Sequence, residues 1–386
     1  MLLLLFLAFA VANQCNDSPS DIVTLNTTGC TNIEWVLDSV LPFNVFDASA
    51  PTITIIDLTW NAAILLPATQ FHMSYPVLTT LNLHGSFLTI LNSGTFTSLS
   101  ALLVLWIDGT SITALGSLAN APPLFTAVMA MIRLTLTNNP NILLDRLKYL
   151  LVNLDNLLTL EIRQCLVASP PLDMLAPVNK LTTLDISQNK MWFINDNLLS
   201  HTPLLEVFNS SNNPTLIPDY TPRLMFSYTS FLRVIDMDSN ALVVLPIIPE
   251  SVTYLSVASN SLSNLSGISG NLSYLDISAN PIIFLSGLTA SISVLMISIS
   301  SGLDLSGFYI LGKNTSVIID SGACMNFPIP YPACTFIQDG VRLTAANITC
   351  PIPRVRDPSI PIAIIAGITV AVVVPLLITV LLICKL

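Results

Sequence analysis

Three consecutive blocks of 20 residues, Val252 to Asn271, Leu272 to Ser291 and Ile292 to Leu311, align without a gap. Each carries aliphatic side chains at its first, fourth and sixth positions: Val252, Leu255 and Val257, then Leu272, Leu275 and Ile277, then Ile292, Leu295 and Ile297. Asn260, Asn280 and Ser300 hold the ninth position, and Leu-Ser-Gly recurs at 265–267, 285–287 and 305–307. One unit of this length cannot bury its own leucines. A chain built from such units must stack them into a continuous array.

The same frame runs backwards through the chain with longer connections. It is read at Leu232/Ile235/Met237/Asn240, Leu204/Val207/Asn212, Leu181/Leu184/Ile186/Asn189 and Leu157/Leu160/Ile162/Cys165. It continues at Met131/Leu134/Leu136/Asn139, Leu102/Leu105/Ile107/Thr110 and Leu78/Leu81/Leu83/Ser86, and starts at Ile53/Ile56/Leu58/Asn61. Eleven repeats result over 53–311, spaced by 20 to 29 residues. Aliphatics at positions four and six of a short strand point to one side, into a core, and the residues between them face the other. An asparagine turned inward at position nine can satisfy backbone groups that the turn exposes, offsetting the cost of burying them.

This frame, L-x-x-L-x-L-x-x-N, resembles that of the leucine-rich repeat family, whose ninth position takes Asn, Cys or Thr. The resemblance implies an α/β repeat solenoid, a horseshoe with a parallel inner sheet of about eleven strands. Cys165 then stands in the ladder position and reads as a buried free thiol. Metal or catalytic work would need His or further Cys in register with it, and none is present.

On the expected concave face, position five reads Asp57, Asn82, Trp106, Thr135, Glu161, Asp185, Phe208, Asp236, Ser256, Asp276 and Met296. Position seven adds Arg163 and Asp238, and position three adds Arg133, Glu206, Tyr254 and Tyr274. Aromatic and arginine side chains are the usual energetic centres of interfaces. The candidate ligand-binding residues are therefore Trp106, Arg133, Glu161, Arg163, Phe208, Asp236, Asp238, Tyr254 and Tyr274. Asp is common at position five in the family that the chain resembles. For Asp185, Asp236 and Asp276 the competing role is hydrogen bonding at the strand end.

Both ends are apolar. Residues 2–12 form an unbroken run closing on Ala10-Val11-Ala12, the small residues of a signal-peptide cleavage site, so 1–12 is expected to be a secretory signal peptide. Ile360 to Cys384 is long enough to span a bilayer as one helix, with Pro375 tolerated inside it. The expected order is a signal peptide 1–12, an N-terminal cap 13–52, repeats 53–311, a C-terminal cap and juxtamembrane stalk 312–359, a transmembrane helix 360–384 and a tail 385–386. The last apolar run also fits a glycolipid-anchor signal, with Ala345-Ala346-Asn347 upstream. The transmembrane reading is preferred.

Export places the body in an oxidising compartment. Cys15 is expected to pair with Cys30 in the first cap. In the second, Cys350 pairs with Cys334 or with Cys324. Sequons at Asn26, Asn209, Asn264, Asn271, Asn314 and Asn347 are expected to carry glycan, and that at Asn16 is weakened by Pro19.

The charge balance limits the partners. Net charge is −10, only 9% of residues are charged, and no Lys/Arg run exists, which argues against nucleic acid, whose phosphates require clustered cations. His72, His84 and His201 lie in different repeats without a Ser or Cys partner, so no enzyme chemistry and no cofactor are expected. The reading is a plasma-membrane receptor or co-receptor with an extracellular ectodomain. It would bind a protein, peptide or glycan ligand and signal through a second membrane protein. The alternatives are a structural or adhesive surface glycoprotein, or the truncated ectodomain of a receptor kinase.

Overall fold

A computed structural model describes residues 54–57 and 75–298, with gaps at 86–89, 92–94, 116–123, 143–149, 215–223 and a few single or paired positions. It also describes the backbone of four strands, 32–34, 315–320, 334–338 and 341–342. All of these lie in one compact unit, Met1–Ile348.

The eleven expected strands are all present. They are β2 (Ile55–Asp57), β3 (Thr80–Asn82), β5 (Val104–Trp106), β7 (Arg133–Thr135), β8 (Thr159–Glu161), β9 (Thr183–Asp185), β10 (Val207–Asn209), β11 (Val234–Asp236), β12 (Tyr254–Ser256), β13 (Asn271–Asp276) and β14 (Ser291–Ser298). Each pairs in parallel with the next, in a register that stacks position four on position four, as in Leu81 against Leu105 and Leu255 against Leu275. The sheet continues past the repeats. β1 (Asn32–Glu34) precedes it, β15 (Thr315–Asp320) and β16 (Cys334–Gln338) extend it in parallel, and β17 (Val341–Arg342) closes it antiparallel, giving fifteen strands. Segments expected only to cap the solenoid therefore add strands to it. β4 (Ile90–Leu91) and β6 (Ala114–Leu115) form a separate two-stranded sheet.

Among the described residues the return segments are mostly turns, and Leu150, before β8, is helical. In the longer repeats two tandem turns lead into each strand. The first-position amide bonds the carbonyl three residues back, and that residue's amide bonds the carbonyl three further back, as in Leu102 to Leu99 to Phe96 and Met131 to Val128 to Phe125. These turn residues are as regular as the strand leucines: Phe96/Leu99, Phe125/Val128, Leu151/Leu154, Leu175/Val178, Leu199/Thr202 and Phe226/Thr229, all buried. Phe96 stacks on Phe125 with ring centroids 5.7 Å apart.

The repeat read at Leu204 lies one residue out of place. Val207, Phe208 and Asn209 pair with Val234, Ile235 and Asp236, so the frame begins at Leu205 and its ninth residue is Asn213. Leu205, Phe208 and Asn213 are buried, whereas Leu204 is 43% exposed. Phe208 thus points into the core, edge-to-face with Phe226 at 5.6 Å. Its place in position five belongs to Asn209, and that of Glu206 in position three belongs to Val207. A slip of one residue sends every side chain of a strand to the opposite face.

The turn after each strand is also repeated. Position eight is left-handed in nine successive repeats, at Gly85, Gly109, Asn138, Gln164, Gln188, Asn212, Ser239, Ser259 and Ala279, with φ between 52° and 68°. That bend drops position nine into the core. Asn189 shows what it does there: its Oδ1 accepts the amides of Cys165 and Val167, and its Nδ2 donates to the carbonyls of Ile162, Ile186 and Ser187. Asn139, Asn213, Asn260 and Asn280 repeat the pattern.

The open face of the sheet as a candidate binding surface

Alternation decides which side chains reach this face. In most strands the middle residue is buried and its neighbours half-buried, so positions three and five stand on the side away from the core. Trp106 stands there half-buried, flanked in register by Asn82 and Thr135.

Arg133, Glu161, Arg163 and Asp185 form one ionic chain across three repeats. Arg133 Nη2 donates to Glu161 Oε1 at 2.6 Å, Arg163 Nη2 lies 3.3 Å from Glu161 Oε2, and Arg163 Nε lies 3.8 Å from Asp185 Oδ2. The arginine side chains remain about one-third exposed, at 35% and 31%, so each pair contributes roughly 0–1 kcal/mol. Their effect is positional: they hold two guanidinium groups upright on the sheet. Burial raises the Asp185 carboxyl above the ordinary range, against the hydrogen bonds from Ser187 and the charge of Arg163.

Asx side chains at position five cap the strand ends. Asn82, Asp185, Asn209, Asp236 and Asp276 each accept the amide two residues on, from His84, Ser187, Ser211, Asp238 and Ser278. The strand-end role expected of the aspartates is thus the geometry observed. Aspartates at position seven brace the following strand instead. Asp108 accepts from the Thr137 amide and the Thr135 hydroxyl, and Asp238 from the Ala258 amide and the Ser256 hydroxyl. Burial first, then the charge of Asp238, pushes the Asp236 carboxyl up to about 7.

Tyr254 and Tyr274 stack with centroids 4.6 Å apart and planes 5° from parallel, the spacing of adjacent strands. One residue of this face was absent from the sequence reading. Asn209 belongs to it, with Nδ2 3.3 Å from Asp185 Oδ2. Asp108 stands at position seven, where the sequence places it, and its bracing follows from that place. Phe208 does not belong to it.

Cys165 is buried and free, as expected of the ladder position. Its thiol donates to the Leu136 carbonyl at 2.7 Å, and burial pushes its pKa up to about 12. Among the described residues no group of His, Cys, Asp and Glu is placed to hold a metal. Cys15, Cys30 and Cys350, together with Asn26, Asn314, Asn347 and residues 360–384, lie outside the described residues; of Cys334 only the backbone, at the start of β16, is described. Asn264 and Asn271 are exposed.

Comparison with solved structures fits this geometry. The TLR13–ssRNA13 complex matches at a TM-score of 0.55 with 20% identity, covering 74% of this chain and 46% of that one. The chain folds as a leucine-rich repeat solenoid. The structure of the Toll–Spätzle complex, from Drosophila, matches at 0.51 with 16% identity over 78% of this chain and 44% of that one. The solenoid spans less than half the length of either. An internalin of Listeria monocytogenes gives 0.48 at 15% identity, over 76% and 87%. No family model and no curated protein matches the sequence.

Proposed function

We propose that this leucine-rich repeat solenoid is the ligand-binding ectodomain of an exported, membrane-anchored glycoprotein, a receptor or co-receptor that uses the open face of its sheet. The observation that carries the reading is a contrast along the array. Positions one, four and six stay apolar in almost every repeat and position nine is mostly asparagine, whereas position five changes at every step and positions three and seven vary along the array, from Trp106 to the Arg133/Glu161/Arg163 chain to the Tyr254/Tyr274 pair. A periodic frame that holds an aperiodic surface suits one partner in one register. Two of the matched solved structures are complexes, one with Spätzle and one with an RNA. The fold thus admits either kind of ligand; the net charge of −10 here favours protein, peptide or glycan over nucleic acid.

Export and anchoring rest on the apolar runs at 2–12 and 360–384, and glycosylation on the sequons, of which Asn264 and Asn271 are accessible. The test is saturable capture of a partner by the full chain displayed on cells, compared with Trp106→Ala/Arg133→Ala. Loss of capture in the double variant supports the reading. Unchanged capture moves the interface off this face, and self-association alone supports a coat glycoprotein.

A further inference from the structure

The C-terminal quarter of the open face has a composition of its own. On β11 to β14, position three reads Val234, Tyr254, Tyr274 and Val294, position five Asp236, Ser256, Asp276 and Met296, and position seven Asp238, Ala258, Ser278 and Ser298. These twelve positions hold three carboxylates and no lysine or arginine. The nearest cation in the same rows is Arg163, three strands away and already set between Glu161 and Asp185. The two tyrosines stack face to face across β12 and β13, which turns the outer face of Tyr254 toward β11, with the acidic row at position five about 7 Å further along the strand, two residues at ~3.3 Å each.

Such a surface has an electrostatic cost. Asp236 and Asp238 repel one another within one repeat, and Asp276 adds to this from two strands away, with the carboxyls of Asp236 and Asp276 buried beneath the face and Asp238 half-exposed. A cation on the β11 side of the stack would meet the negative outer face of Tyr254 and the field of the nearby carboxylates. A planar guanidinium uses both at once: it stacks on a ring and donates in plane to a carboxylate, which an ammonium cannot do.

Resting on the proposal that the open face binds a ligand, we infer that the face of β11 to β14 docks an arginine-bearing peptide segment of a partner protein, with the outer face of Tyr254 stacking on the guanidinium and Asp238 accepting from it. The width of the patch suits a short extended segment that crosses four strands at about 4.8 Å each.

The full chain is titrated with a fluorescent peptide alternating arginine and glycine, and with its lysine and glutamine counterparts. The arginine peptide binds saturably, more weakly as salt rises, and more tightly than the lysine peptide; the glutamine peptide does not bind. Tyr254→Leu weakens binding about 3- to 30-fold, the range of a desolvated cation–π contact. Asp238→Asn weakens it too, and this variant keeps an Oδ1 for the Ala258 amide, so the fold is retained. Equal binding of all three peptides, or indifference to both variants, overturns the inference, as does chitotriose binding through the tyrosines in place of the peptide. Cell-surface capture that is lost in Trp106→Ala/Arg133→Ala yet unaffected by Asp238→Asn also overturns it, and leaves the broader function intact.

Discussion

Cys165 donates its backbone amide to Asn189 Oδ1 at 2.9 Å, so a cysteine in one repeat is held by the ladder asparagine of the next. Asn189 serves five backbone groups in all, drawn from two successive repeats, and is itself buried. Asn189→Ala leaves those groups without partners in a site closed to water. At roughly 1–3 kcal/mol for each group left unsatisfied, softened by local relaxation, the expected loss is about 3–5 kcal/mol. Urea unfolding of the variant checks it; a loss below about 1 kcal/mol would show that water enters the ladder.

The thiol of the same Cys165 should be inert. Its pKa, pushed up to about 12 by burial, leaves almost no thiolate at neutral pH, and thiolate is the reactive form. Site-resolved alkylation by mass spectrometry is expected to label Cys165 only after denaturant unfolds the array. Cys165→Asn should be tolerated or stabilising, since asparagine fills this ladder position in the neighbouring repeats. Rapid labelling in the native state would contradict its burial.

Much of this architecture was open to inspection in the sequence, and its gaps have physical causes. Leucines at positions one, four and six fix the strands because the period of two leaves no alternative face for them. The error at Leu204 arose where the sequence offers both registers: Leu204 and Leu205 are both leucine, and Asn212 and Asn213 are both asparagine. Two signals break the tie. Leu199 and Thr202 fall six and three residues before Leu205, as Phe226 and Thr229 do before Leu232. Asn212 also takes the left-handed turn of position eight. The flanking strands β1, β15 and β16 carry no full frame and so read as caps. On the open face, position could be read but pairing could not: the ionic chain from Arg133 to Asp185 depends on rotamers that spacing leaves free.

Asp236 makes stability depend on pH. Its folded pKa, about 7, lies above the ordinary value of 3.8, so between those values the folded chain holds a proton that the unfolded chain has released. Stability from this group is therefore greatest below about pH 4 and falls as pH rises toward 7, by an amount on the order of a few kcal/mol. Asp236→Asn keeps an acceptor for the Asp238 amide and removes the titration. Unfolding measured at pH 5 and pH 8 should show a smaller difference in the variant than in the parent. An unchanged difference would mean that another group carries it.

Gly270 occupies a position that no other residue fits. Its φ is +89°, and a Cβ built there would lie 3.0 Å from the Glu250 carbonyl oxygen and 3.1 Å from its Cα, both backbone atoms that cannot swing away. The Gly270 carbonyl also accepts the Ser291 amide at 2.9 Å, tying three repeats together at this point. Gly270→Ala combines backbone strain with a clash, and is expected to cost about 1–3 kcal/mol. Ala279→Gly tests the opposite sign. Ala279 has φ +52°, a left-handed conformation that costs an alanine roughly 1 kcal/mol, and glycine relieves it. Thermal unfolding should therefore shift down for the first variant and slightly up for the second. The same sign for both would show that unfolded-state entropy, rather than native strain, governs these turns.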